Sequence, residues 1–226
     1  MIEADFILSL GSACRPAWHL KANNLRYVSS PFDWMMNYRL ETFINFLKQK
    51  NLNGFFLNYE YMNRDSGKTK VVKDLSSGTI SMHSFPIDME IEEFYPTFIQ
   101  IMNRRFERLL QIFEKSHSIV FVSNRKDLNE IKRFIFDFNE LYSNKNIVYI
   151  NIEHSPSLEY EERDEYLSDN IMLKHVYFND VHANGDTKDN PRAWLGNEYF
   201  WTKLCSTLKL SNPQTILTSN EDNELK

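Results

Sequence analysis

The sequence predicts an α/β fold: a mostly parallel sheet covered by helices on both faces, with an irregular β-rich insertion around residues 53–80. Three observations carry this. Short continuous apolar runs at 5–10, 118–122, 146–152 and 171–178 have the character of strands buried on both faces. Between the second and third of these lies an amphipathic pattern over 128–142, and a strand, helix, strand order of that length requires the strands to run parallel. Residues 53–80 lose both patterns and carry glycines at 67 and 78.

In chain order, Asp5–Leu10 reads as a buried strand, Gly11-Ser12 as its turn and Pro16–Lys21 as a helix, with proline tolerated in the first turn. Leu25–Trp34 is a compact segment ending in SSPFDW, and a helical pattern over 39–49 follows, closed by Gly54. Residues 55–82 suggest two or three irregular strands with a hairpin around Asp65-Ser66-Gly67. The segment Thr79–His83 delivers His83 near a strand end, with Ser84-Phe85-Pro86 as the stop. From Glu92 to Lys115 apolar residues recur at helical spacing opposite a charged side. The acidic run 159–165 reads as a solvated loop or helix surface. After the last apolar run come a polar loop over 179–191, a closing helix over 197–208 and a flexible C-terminal tail over 211–226, which leaves a single domain over 1–210.

Bulk properties narrow the function classes. The 226 residues are 42% hydrophobic and 14% aromatic, enough to bury a substantial core. A net charge of -5 gives no basic footprint, so neither nucleic acid nor an acidic membrane surface is expected as a partner. MIEADFILSL has acidic residues where a signal peptide needs basic ones, and no apolar run approaches a membrane span, so the expected location is the cytoplasm. Export by a machine that reads no signal peptide leaves no trace in such a sequence. Cys14 and Cys205 form neither a disulfide framework nor a zinc motif. The six glycines make no GxGxxG or GxxxxGK loop, so no nucleotide cofactor, and no cofactor of any other kind, is expected.

In a parallel sheet the ligand crevice lies beyond the carboxyl ends of the strands. Residues that follow strand ends here are Gly11 to Cys14, His83 and Ser84, Ser123 to Arg125, Glu153 and His154, and Asn179 to His182. Cys14 also falls at a helix N-terminus, where open amides and the helix dipole depress a thiol pKa and can hold an oxyanion, with Gly11 and Ser12 in the same turn. A histidine beside it completes a nucleophile and base pair. The plainer reading is that Cys14 is a small buried hydrophobe and His83 a hydrogen-bonded strand residue.

Asn124 is a candidate oxyanion donor and Arg125 a candidate fork for a substrate anion, while His154 and His182 are alternative bases. A metal site from Asp180, His182 and Asp186 lacks any constraining motif, and no metal is expected. Trp34, Trp194 and Trp201 read as packing anchors, and Cys205 as core. No oligomeric state follows from the sequence.

The stretch SLGSAC, followed by LRYVSSPFDW, resembles the opening of a family of bacterial and viral proteins described as papain-like cysteine peptidases. SMHSFP is similar to that family's histidine segment, with Ser84 where an aspartate usually follows the histidine. The RRFERLL helix, the IVFVSN strand and a late W-x-G with a second tryptophan (Trp194, Gly196, Trp201) extend the likeness over about residues 6–205. The resemblance implies a thiol nucleophile at Cys14, a general base at His83, and Asp33 or Asp88 as a third member, with Asp33 equally a cap or ion-pair partner. It implies peptidase action on a protein, a peptide or an acylated small molecule. Acyl transfer would use the same residues, and a silent binding module is the alternative from another class. A papain-like core sets its cysteine helix against an antiparallel sheet bearing the histidine. The β-α-β pattern here suggests instead that the label describes residue order rather than architecture.

Overall fold

The computed structural model describes residues 1–157, 159–187 and 189–211. Along the chain run β1 (Ile2–Ala4), β2 (Phe6–Ser9), α1 (Arg15–Ala22), β3 (Met35–Met36), α2 (Leu40–Gln49), β4 (Tyr59–Ser66), β5 (Thr69–Asp74) and β6 (Ile80–Pro86). Then come α3 (Ile91–Lys115), β7 (Ser118–Ser123), α4 (Leu128–Leu141), β8 (Asn146–His154), β9 (Glu161–Ser168), β10 (Ile171–Phe178), α5 (Glu198–Cys205) and β11 (Leu208–Leu210).

The fold is mixed α/β. Its central sheet has the order β2-β7-β8-β10-β9, with the first four strands parallel and β9 antiparallel at the edge. Phe6, Ile119, Ile147 and Ile171 stand in register across the four parallel strands. Because strand side chains alternate, neighbouring residues feed two different cores. Phe6, Leu8, Phe121, Tyr149 and Leu173 pack with Phe43 of α2, Phe113 of α3 and Phe134 and Phe138 of α4. Ile7, Val120, Ile150 and Val176 pack instead with Leu20 of α1 and Trp201 and Leu204 of α5. Apolar side chains on both sides of each strand are why these segments read as unbroken runs.

The expected insertion over 53–80 is larger and more regular than its composition suggests. It is a four-stranded antiparallel sheet, β3-β6-β5-β4, drawing on residues 35 to 86. The β4–β5 hairpin places Ser66 opposite Thr69 and turns through Gly67, whose φ of +65° suits glycine. No position of β4 is fully buried and the ladder is broken by register shifts, so the period-2 signal is lost. The sheet is anchored from one side by α3, where the Phe85 ring lies 4.6 Å from that of Phe98.

Other elements differ from expectation as well. From Glu161 the acidic run is the exposed edge strand β9 rather than loop or helix, its charges partly met by Lys132 on Glu165 (2.6 Å) and Lys174 on Glu162 and Asp164 (3.0 and 2.6 Å). The closing helix stops at Cys205, and the chain turns into β11 to pair in parallel with β1, a two-stranded ribbon too short to leave a periodicity. The second helix ends on Lys50 at φ +54°, four residues before Gly54. The tail over 211–226 lies outside the described residues apart from Ser211. No helix among the described residues is long and apolar enough to cross a membrane.

Candidate active site

The turn after β2 is set by one glycine. Leu10 N–H still donates to Val122 of β7, and the chain then reverses into α1. A Cβ on Gly11 would stand 2.5 Å from Pro16 Cγ and 2.9 Å from the Ala13 carbonyl, so no other residue fits that reversal without displacement. Gly11→Ala is expected to lower stability by about 1–3 kcal/mol, the usual cost of overpacking, read as a shifted urea midpoint at constant slope. Cys14 is the N-cap of α1, with φ -66° and ψ -17°, and its carbonyl accepts the Trp18 N–H at 3.0 Å. The Ser12 carbonyl is occupied by the Asn37 N–H at 3.0 Å.

The LR…PFDW pair folds as one unit. Asp33 is buried and accepts from Arg26 Nε at 2.7 Å and from the Ser30 amide at 2.9 Å, while Arg26 Nη2 donates to Ser29 Oγ at 2.6 Å. The Arg26 guanidinium lies 5.3 Å from the Trp34 ring centre, and Phe32 is sunk among Tyr38, Phe43 and Phe55. Burial raises the Asp33 carboxyl pKa, with Arg26 and the Ser30 amide pulling the other way. The unit fixes Trp34, whose indole meets the His83 ring at 6.4 Å and 90°.

His83 lies in the middle of β6, not at the end of a strand of the parallel sheet, which corrects the sequence reading. It reaches the site by a different route, carried on the antiparallel sheet toward the β2–α1 turn. A cavity of about 610 Å³ opens between the two sheets. Ala13, Cys14, Arg15 and Asn124 line it from the parallel-sheet side, and Met36, Ser66, Met82 and His83 from the antiparallel sheet. Trp34 and Trp194 complete the wall.

The state of the thiol corrects the expectation of a resting thiolate. Cys14 is 8% exposed, and burial pushes its pKa above the ordinary thiol value. Its own backbone amide pulls down and the Asp33 charge pushes up further. No hydrogen bond joins the thiol to His83 among the described residues. Burial lowers the His83 pKa, so near neutral pH the pair is thiol and neutral imidazole rather than thiolate and imidazolium. Alkylation of Cys14 by iodoacetamide should therefore climb roughly tenfold per pH unit from pH 6 into the alkaline range. Cys205, buried at the end of α5 with a pKa pushed up to about 12 by burial, should lag behind throughout. Peptide mapping of the alkylated chain reads both rates, and a pH-independent plateau for Cys14 below pH 7 would refute the neutral pair.

A second polar node holds the far wall. Asp180 is a buried carboxylate that accepts from Arg15 Nη1 at 2.5 Å, the Asn197 amide at 2.9 Å and Trp201 Nε1 at 2.9 Å. Arg15 Nε donates to the Trp194 carbonyl at 2.6 Å. Gly196 sits at φ +68° with its Cβ direction filled by Asp180 Oδ1 at 2.1 Å, which explains the W-x-G spacing as a clamp. The half-exposed Trp194 is thereby held in the wall of the Cys14 cavity, whereas Trp201 is wholly buried.

The remaining candidates separate clearly. Asp88 is exposed on the β6–α3 turn, and neither it nor Asp33 is a hydrogen-bond partner of His83. Asn124 lines the cavity with its Oδ1 buried and unpartnered. Arg125 does not reach the cavity. It is buried, donates from Nε to the Leu10 carbonyl at 2.8 Å, meets Glu130 at 3.3 Å and lies over Tyr38 at 4.5 Å, so it pins the end of β2. His154 is exposed, accepting the Asp180 amide at 3.0 Å. His182 is buried, bonded to Glu198 at 3.1 Å and to Asn184 and Asn190 through its other nitrogen. Both are committed elsewhere and neither replaces His83 at the cavity. Asp180, His182 and Asp186 do not converge, and no cluster of three metal-type donors occurs among the described residues.

Sequence reasoning missed three things. His19 is buried on α1, bonded to the Leu195 carbonyl at 2.8 Å and stacked on Trp201, and burial brings its pKa down to about 4. Its position five residues after Cys14, among apolar neighbours, was the available signal. Met36, Met82 and Ser66 line the cavity but belong to strands with no readable alternation. The carboxylate on Arg15 is Asp180, distant by 165 positions and unsignalled.

The histidine thus rides on an antiparallel sheet, as a papain-like arrangement has it, while the strand before the cysteine belongs to a parallel one. An uncharacterized protein of Acanthamoeba polyphaga mimivirus is 27% identical over 184 residues, covering 70% of this chain and 81% of the viral one. No solved structure matches. The model of the family described as "Putative papain-like cysteine peptidase" matches residues 5–154, well over half of the sequence and the part that contains both Cys14 and His83, and the chain belongs to that family.

Proposed function

We propose that the chain is a thiol-dependent hydrolase that cleaves a peptide, isopeptide or other amide bond through Cys14 and His83. The supporting observation is their convergence on one cavity from separate sheets, within a region matched to a peptidase family. The reading takes the parallel sheet as helix-covered on both faces, so that the site sits at its carboxyl edge; the two cores support this. His83 accepts the Cys14 proton as sulfur attacks the acyl carbon, giving a tetrahedral oxyanion. The amides that open α1, Pro16 having no N–H to give, and the Asn124 side chain after a flip of its amide are the donors for that charge. Collapse breaks the C–N bond, and the imidazolium protonates the departing amine. Water then attacks the thioester, giving its proton to His83, and releases the acid and the thiol. An acceptor other than water makes the same residues an acyltransferase. No cofactor or metal enters any step.

The test is covalent capture. A panel of peptide and acyl thioesters is mixed with the protein at pH 7, and intact mass is followed by peptide mapping. The reading expects an acyl adduct at Cys14 that decays in water, and none in Cys14→Ala. A neutral buried thiol with no hydrogen bond to His83 also fits a catalytically silent binding module in which Cys14 is core. Equal, sluggish labelling of Cys14 and Cys205 by every thioester decides for that module.

A further inference from the structure

A second cavity of about 220 Å³ lies beyond Trp34 and His83, the two residues that line it and the Cys14 cavity alike. Its walls are Met35, Phe94, Phe98, Ile101 and Met102, supplied by β3 and one face of α3. One strong charge faces it, Arg105. That guanidinium is partly buried, yet it makes no hydrogen bond or ion pair among the described residues. The carboxylate whose charge supports it, Asp33, is already held by Arg26 and the Ser30 amide. Burial works against its charge and pulls its pKa down.

A planar five-donor cation that lines a largely apolar cavity, with no protein acceptor among the described residues, is complementary to a carboxylate on an apolar stem. We infer that this cavity is a specificity subsite for an acyl or side-chain arm of a few methylenes ending in a carboxylate, with Arg105 as its anion anchor. A volume of about 220 Å³ holds one such arm and no more. The inference rests on the thiol reading for its connection to catalysis, because a substrate attached at Cys14 reaches the subsite past His83. Binding at the subsite is independent of that chemistry.

The experiment separates the two. Titration calorimetry measures binding of the N-methyl monoamide of glutaric acid and of its neutral analogue N-methylpentanamide to the intact chain and to Arg105→Met, which keeps an apolar side chain. The carboxylate ligand is expected to bind at least about tenfold more tightly than the neutral one, the scale of one charge-assisted contact. That advantage is expected to vanish in Arg105→Met, with unchanged affinity for the neutral ligand and an unchanged melting temperature. Equal affinities in the intact chain, or a preference that survives Arg105→Met, overturns the subsite. In parallel, glutaryl and pentanoyl thioesters are offered to Cys14. Carboxylate-selective binding without any acyl adduct leaves the subsite standing and removes the thiol reading. Acyl adducts formed equally from both thioesters do the reverse.

Discussion

His83→Ala is expected to slow acylation of Cys14 by amide and thioester substrates by about 10²–10⁴-fold, the range for loss of a positioned general base. Alkylation of the same thiol by iodoacetamide at alkaline pH is expected to change little, because there hydroxide removes the proton and no leaving group needs protonating. The two reactions separate a base from a packing residue. His83 stands in the cavity wall outside the hydrophobic core, and its ring contact among the described residues is the edge-on Trp34, so its truncation removes little core. The pH sign follows from the lowered imidazole pKa. Acylation by the intact chain should be lost as pH falls through a value below the ordinary 6.5 of histidine, and should not fall again on the alkaline side, where a raised thiol pKa only supplies more thiolate. Stopped-flow acylation from pH 4.5 to 9.5 checks both limbs. A His83→Ala chain that acylates at the rate of the intact one removes histidine from the mechanism, whatever becomes of Cys14.

What the sequence disclosed follows from burial. Strands β2, β7, β8 and β10 are apolar on both sides because two cores compete for their side chains, and such runs are legible without any alignment. The β2–α1 turn was legible for the same reason, since an apolar run ending in Gly11 with Pro16 soon after leaves few alternatives. The antiparallel sheet was not, because no residue of β4 is buried and bulges break its register. The strand-end rule that also pointed to His83 therefore does not apply to it. It shares a cavity with Cys14 because β6 passes beside the crevice, not because β6 ends there. Arg125 failed for the opposite reason: a residue after a strand end looks exposed in sequence, yet the Leu10 carbonyl and the Tyr38 ring draw it inward. The partners of Asp33 are local and were foreseeable as an ion pair, whereas those of Asp180 come from 17 to 165 positions away, beyond any local pattern.

Asp180→Ala is expected to cost about 2–4 kcal/mol, because it strands a partly buried cation and two N–H donors at once. Arg15, the Asn197 amide and the Trp201 indole all point at this one carboxylate, and among the described residues none has another acceptor for the same atom. The neutral isostere grades the contributions. Asp180→Asn keeps a carbonyl for Trp201 and Asn197, which share Oδ1, but turns an NH2 group toward Arg15, so a smaller loss of about 1–3 kcal/mol is expected. Gly196→Ala attacks the node from the other side. Its Cβ would need the space of Oδ1, 2.1 Å away, at a φ of +68° that already penalises alanine, so its loss should approach that of Asp180→Ala. Urea unfolding followed by tryptophan fluorescence and far-ultraviolet circular dichroism reads all three. The node also reaches the cavity, since Arg15 holds the Trp194 carbonyl and directly follows Cys14. At urea concentrations where Asp180→Asn remains fully folded, its Cys14 should therefore alkylate faster than in the intact chain as the Trp194 wall loosens. A loss below 1 kcal/mol in Asp180→Ala would show that the clamp is not what holds the late tryptophan segment against α1.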